Sequence, residues 1–252
     1  MTSRLRVGLV TIMFITSAGP VSPRSGGPVP PAESAEGGAL AAALLEQAPT
    51  LRPEPLAAAL RSLAWMERRG EVRAGVLTVI DYGLPSRSKR LWVFDLPARK
   101  LLFHEMVAHG KNSGHDLTVS FSNQQGSLMT SLGAFVTGAT YTGRNGYSLR
   151  LRGMDPGLNH RAEARAIVMH GAPYVNDEVV KALGRLGRSH GCPALRLEIA
   201  PAIIDTIKEG SLLYSWHPSL ETALASAPGP GPGAQADAAD STSSSSRPPD
   251  RF

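Results

Sequence analysis

From Val76 onward the chain runs through short segments rich in Val, Ile, Leu and aromatic residues, each cut off by Gly, Pro, Asn or Ser. Residues 76–82 and 90–96 are β-branched or aromatic runs. Pro97-Ala98-Arg99-Lys100 separates the second from 101–107, a pattern that predicts a hairpin. Further strands are expected at 117–121, 134–137, 147–151, 165–169 and 211–216. Helical spacing predicts a helix over 176–184, with Asn176 as N-cap and acidic residues in its first turn, and another over 198–209 that stops at Gly210. Many short strands with few short helices argue for a mainly β domain, a compact sandwich or barrel, and against a doubly wound sheet.

The region before these strands is different. Residues 39–48 and 53–69 read as helices. Leu56, Leu60, Leu63 and Ala64 recur at helical spacing, with Trp65 and Met66 extending the apolar side, Pro53 or Pro55 in the first turn and Gly70 past the end. Residues 39–70 thus form an N-terminal helical segment ahead of a domain over 71–220. Arg4 and Arg6 precede an apolar run from Val7 to Ile15 and small residues at 16–18, the pattern of an export signal. That run is shorter than the roughly 20 residues that span a bilayer, and no other stretch is long enough. The mature form is therefore expected outside the cytoplasm without a stable membrane span. Residues 19–38 and 221–252 are biased toward Pro, Gly, Ala and Ser, too poor in apolar surface to offset the entropy of ordering, and read as a linker and a tail without fixed structure.

The formal net charge is +5, a modest excess that suits an anionic polymer or ordinary solubility. No basic run alternates with aromatic residues as a nucleic-acid surface would. Nothing in the sequence bears on oligomeric state.

Against this background the cysteine content is informative. The chain has one cysteine, Cys192, within Gly187-Arg188-Ser189-His190-Gly191-Cys192-Pro193. An exported protein that uses cysteine for disulfides carries pairs, so a single thiol is buried and inert, intermolecular, or reactive. His190, two positions earlier among small and basic residues, favours reactive. A thiol attacks acyl carbon as thiolate, and a free cysteine has a pKa of about 8.5, so it needs a base or a cationic field. Two histidines qualify as base: His190 and His170, the latter closing the apolar run Ile167-Val168-Met169 and followed by Gly171. Gly187 and Gly191 allow a tight turn, and amides near Gly191 and Cys192 are candidates for stabilising an oxyanion. Arg185 and Arg188 are candidates for the cationic field.

Ser189-His190-Gly191-Cys192 with the upstream His170-Gly171 resembles the catalytic domain of L,D-transpeptidases of the YkuD type, and within them the murein L,D-transpeptidase catalytic-domain group. The resemblance extends through Ile80-Asp81-Tyr82, 90–96, Val107-Ala108-His109-Gly110-Lys111-Asn112-Ser113-Gly114, Phe121-Ser122-Asn123, Ser131-Leu132-Gly133, 141–150 and 184–189, about 76–215 in all. It implies a cysteine acyltransferase acting on peptidoglycan stem peptides, periplasmic or associated with the cell wall. Cys192 is then the nucleophile and His170 the proton acceptor and donor, with His190 helping to orient the site. Ser189 and Gly191 form its loop, Arg188, Arg196, Gly171 and His109 are further substrate-facing candidates, and no metal or organic cofactor is required.

The chain departs from the commoner family pattern in two places: the gap from His170 to Ser189 is longer than in the best-known members, with the expected short helix inside it, and the chain after the cysteine differs. Where an arginine is expected two residues after the cysteine stands Ala194, and Arg196 lies four residues after. Other readings remain. Water as acceptor gives an L,D-carboxypeptidase through the same acyl-enzyme. His109, His115 and Asp116, with His170, compose a conceivable zinc set for a wall peptidase, although their spacing matches no established motif. A non-catalytic wall-binding domain is the third.

Overall fold

The computed structural model describes residues 35–73 and 75–220. The export segment 1–18, most of the 19–38 linker and the 221–252 tail lie outside the described residues. Helix α1 spans Ala35–Gln47, so the linker boundary at 38 is corrected: the helix starts inside it. Gly37 and Gly38 weaken the local propensity, but Leu44 and Ala48 further along are buried in the core, and such packing outweighs intrinsic preference in a short helix. Helix α2, Pro53–Arg68, begins with proline in its first turn, where the missing N–H has no intrahelical partner to lose. Its buried ridge is Pro55, Leu56, Ala59, Leu63 and Met66. Trp65 is 48% exposed, which corrects the expected apolar side; it lies under the Arg69 guanidinium, 4.6 Å from the ring centre.

The domain that follows is built on β1 (Val76–Asp81), β2 (Leu91–Asp95), β3 (Lys100–Glu105), β4 (Gly133–Gly143), β5 (Gly146–Gly153), β6 (Val168–Gly171), β7 (Ala194–Leu195) and β8 (Leu212–Trp216). Two short helices accompany them, α3 (Asp177–Leu183) and α4 (Ala200–Ile207). All eight strands join one sheet in the order β3-β2-β1-β8-β4-β5-β6-β7. The class is therefore mainly β with few short helices, as the punctuation of the chain predicts. The β2–β3 hairpin forms where expected. Strands β1 and β8 pair in parallel, Leu77 opposite Leu212, so the first and last strands of the domain lie side by side at its centre. Side chains at alternate positions of a strand point to opposite faces. All five residues of β8 and five of six in β1 are buried, so the centre of the sheet is covered on both faces.

The chain leaving β3 reaches the far edge. Ala108 bridges Ala194 of β7, its N–H donating to the Ala194 carbonyl at 2.8 Å. This contact brings the two edges of the sheet together and gives it a nearly closed, barrel-like form. The strand expected at 117–121 is absent. Leu117 and Val119 are 53% and 71% exposed, and the Val119 and Ser120 amides both donate to the Ser113 carbonyl, closing a loop where a ladder would need a partner. Helix α3 has the predicted cap: Asn176 Oδ1 accepts from the Val179 amide at 2.8 Å.

Candidate active site

His170 sits on β6, opposite Ser148 of β5 on one side and Ala194 of β7 on the other. Its backbone position is fixed by two ladders, and its side chain is 5% exposed. The ring is oriented by a hydrogen bond of 2.8 Å between Nδ1 and the Gly171 carbonyl. A carbonyl only accepts, so Nδ1 carries the proton and Nε2 is left with a free lone pair. Burial lowers the His170 pKa below the ordinary imidazole value, the Gly171 bond opposing it. The ring is thus neutral at neutral pH, in the tautomer a base requires.

Cys192 lies two residues before Ala194, its side chain 8% exposed. Sγ accepts from the Val168 amide at 3.5 Å and lies 3.8 Å from the Ala166 carbonyl, on the segment that becomes β6. Cys192 and His170 are therefore held by the same piece of chain and by the β6–β7 register. Burial raises the thiol pKa, while the Val168 N–H and the charge of Arg165 lower it. The net direction is upward, so at rest both the thiol and the imidazole are neutral.

Ser189 locks the turn between them. Its hydroxyl donates to the Cys192 carbonyl at 2.6 Å and accepts from the Gly191 amide at 3.0 Å. The Gly191 amide is therefore occupied, which corrects its assignment as an oxyanion donor; the role of Ser189 and Gly191 is to shape the loop. Gly191 has φ +120°, and a Cβ there would fall 2.7 Å from the Met129 carbonyl. The loop is backed by the chain leaving β3. The Ser189 amide donates to the His109 carbonyl at 2.9 Å and the Lys111 amide to the Ser189 carbonyl at 2.8 Å. Gly191 and Pro193 line a small, partly open cavity together with Tyr82, Thr130, Ser131 and Ser215.

The remaining candidates separate. His109 is fully buried and does not line a cleft. Its Nδ1 accepts from Arg90 Nη2 at 2.8 Å, and Arg90 also holds the Val107 and Leu84 carbonyls. Burial, then the positive Arg90, push the His109 pKa down to about 3, so it supports the loop as a neutral acceptor. Arg90 is itself buried, and desolvation lowers it to about 10. Arg196 forms a two-pronged ion pair with Glu105, at 3.1 and 2.8 Å, and joins β3 to the chain after β7. Arg188 donates to the Lys111 and Gly114 carbonyls at 3.0 and 2.9 Å. Arg185 donates to the adjacent Leu186 carbonyl. These arginines are engaged in structure, and among them none acts on the thiol. His190 is exposed on the loop. A Cβ at Gly171 would fall 3.1–3.2 Å from Leu197 and Ala200, so its glycine serves close packing at the end of β6. Asp116 is paired with Arg87 and accepts from the Ser86 hydroxyl, and among the described residues no three His, Cys, Asp or Glu side chains come together as a metal-ligand group.

Arg165, whose guanidinium packs against Gly191, and the buried Arg90 are not legible from the sequence as site residues. Arg165 stands among Arg161, Glu163 and other charges that look like any solvated surface. Its contacts are with the 122–131 segment, a non-local encounter no spacing reveals.

Residues 47–216, well over half of the chain, match the family model described as L,D-transpeptidase catalytic domain. This chain belongs to that family. Among solved structures it is similar to an L,D-transpeptidase from Mycobacterium smegmatis at 17% identity, over 56% of this chain and 58% of that one, with a TM-score of 0.35. It is similar to the helical cell shape determining protein Pgp2 from Campylobacter jejuni at 13% identity, over 62% of this chain and 55% of that one, with a TM-score of 0.37. The match covers less than two thirds of either solved chain. No curated protein sequence matches this chain.

Proposed function

We propose that this protein is a peptidoglycan L,D-transpeptidase working through a cysteine thioester. The observation that carries the reading is the shared frame of Cys192 and His170: the thiol rests on the backbone of 166–168, and two residues on His170 presents Nε2 as the free ring nitrogen. In this reading Nε2 takes the thiol proton as Sγ attacks the L-centre carbonyl of the L,D-bond in a donor tetrapeptide. The Cys192 amide is the loop donor assigned to the oxyanion, since the Gly191 amide is bonded to Ser189. Collapse of the tetrahedral intermediate returns the proton to the departing D-alanine amine and leaves a thioester. The amine of a second stem peptide, deprotonated by the same histidine, then attacks the thioester and regenerates the thiol. Such a substrate places the protein outside the cytoplasm, periplasmic or wall-associated, in keeping with the expected export signal.

The test is mass spectrometry of a disaccharide-tetrapeptide incubated with the purified protein. Cross-linked dimers with loss of D-alanine are expected; loss of D-alanine alone would identify water as the acceptor. Cys192→Ala should abolish both products, together with covalent labelling by a carbapenem-like acylating agent, without changing the melting curve. Activity retained in that variant would sink the thioester mechanism.

A further inference from the structure

Arg165 stands just before the segment on which the thiol rests. Its guanidinium donates to the Ser122 carbonyl at 2.6 Å, the Met129 carbonyl at 2.6 Å and the Ser127 hydroxyl at 3.2 Å, and also to the Ser131 hydroxyl. All four acceptors are neutral. Arg52, Arg87, Arg152 and Arg196 each have a carboxylate partner, whereas Arg165 has none among the described residues. A half-buried guanidinium with only neutral acceptors keeps its full charge in a setting of reduced dielectric. That charge lies against the nucleophile loop: a Cβ on Gly191 would fall 3.3 Å from Arg165 Nη2, and the next residue along is Cys192. On its other side, the carbonyl of Ala166, adjacent to Arg165 in sequence, is 3.8 Å from Sγ.

We propose that Arg165 is a positioning residue of the site, pinning the 122–131 segment against the nucleophile loop and supplying the fixed positive charge that lets a buried Cys192 ionise. The inference rests on the reading of Cys192 as nucleophile. Other groups around the thiol do not supply that charge. His170 of β6 is neutral at neutral pH. Tyr82, beyond the end of β1, and Tyr174, in the turn before α3, stay protonated because burial raises both, Tyr174 to about 12. On the loop itself His190 is exposed, and Arg188 is turned to the Lys111 and Gly114 carbonyls. Arg165 thereby occupies, from the β5–β6 connection, a cationic position that the chain after the cysteine does not provide, where Ala194 is uncharged and Arg196 is paired with Glu105.

The experiment reads the thiol without any peptide substrate, so it stands or falls separately from the transpeptidase assay. The rate of Cys192 alkylation by iodoacetamide is followed in the full chain by intact mass from neutral to alkaline pH, with Cys192→Ala as the labelling control. Arg165→Gln should move the profile up by about one pH unit and slow alkylation at neutral pH by about tenfold. Arg165→Lys, which keeps the charge and loses the forked geometry, should stay near the wild-type profile. A folded Arg165→Gln that alkylates at the wild-type rate, or faster as a merely loosened loop would, overturns the proposal. If Arg165→Gln does not fold, Arg165→Lys decides: a profile shifted up by about one unit despite the retained charge overturns it, and an unshifted one supports it.

Discussion

Cys192 and His170 both depart from their solution behaviour in the direction that keeps them uncharged. Burial raises the thiol and lowers the imidazole. A depressed histidine pKa means that the base stays deprotonated at pH values below the ordinary imidazole value of about 6.5. A raised thiol pKa means that the resting thiol stays protonated well into the alkaline range. The kcat/KM profile is therefore expected to be flat through neutral pH and to fall only on the acid side, with a midpoint below about 6.5. A bell with its acid limb above that value would contradict the assignment of His170 as the base. His109 illustrates the opposite use of the same residue type. Fully buried and bonded through Nδ1 to a buried arginine, it is a neutral acceptor that fixes Arg90 and the chain behind the nucleophile loop.

At the scale of elements, the active-site turn is held by the strand-like piece Ala108–Lys111. Its backbone exchanges hydrogen bonds with Ser189 and Ala194. Gly110 is the point of closest approach. A Cβ there would lie 2.5 Å from the Leu128 carbonyl, 2.9 Å from the Thr130 amide and 3.0 Å from the Gly191 Cα, all backbone atoms that cannot swing aside. Gly110→Ala should therefore push the nucleophile loop away from the 128–130 segment. A loss of about 1–3 kcal/mol of stability is expected, of the size seen for overpacking, with a fall in transpeptidation through the displaced loop. Thermal melting and the stem-peptide assay on the same preparation check both halves. Unchanged turnover would mean that the loop tolerates displacement.

At the scale of the whole molecule, the described residues hold two buried apolar clusters, a small one around Ala108, Leu186 and Ala194 and a large one that takes in the N-terminal helices. Leu44, Leu56, Leu63 and Met66 of the N-terminal helices belong to the same buried cluster as Leu77, Trp92, Leu149, Ile203 and Leu213 of the sheet and α4. Helices α1 and α2 thus pack into the same core as the sheet. Arg52, ahead of α2, ties them further by an ion pair of 2.7 Å with the buried Asp81 at the end of β1. Leu56→Ala, at a position with no exposure, should cost about 2–5 kcal/mol and lower the melting temperature of a single transition. Two separable transitions, with the sheet melting as in the wild type, would show that the helices are an independent unit.

The sequence by itself determined the class of fold, the caps of α3, the β2–β3 hairpin and the identity of Cys192 and His170 as residues to watch. These are local properties: the period of apolar residues, the chemistry of a turn, a lone thiol near a histidine. It misplaced residues whose environment depends on distant chain. Leu117 and Val119 have strand-forming side chains, but the segment bonds back to Ser113 and Gly114 and joins no strand among the described residues, so it remains a loop. His109, a plausible cleft residue by type, is sealed inside because the chain leaving β3 crosses to β7. Arg185 and Arg188, nearer the cysteine in sequence, bond to loop carbonyls, while Arg165, twenty-seven positions upstream, is the charge that acts on the thiol. Only the tertiary structure decides such assignments, because electrostatic influence follows distance and burial in space, and the β6–β7 pairing makes neighbours of segments that the chain keeps apart.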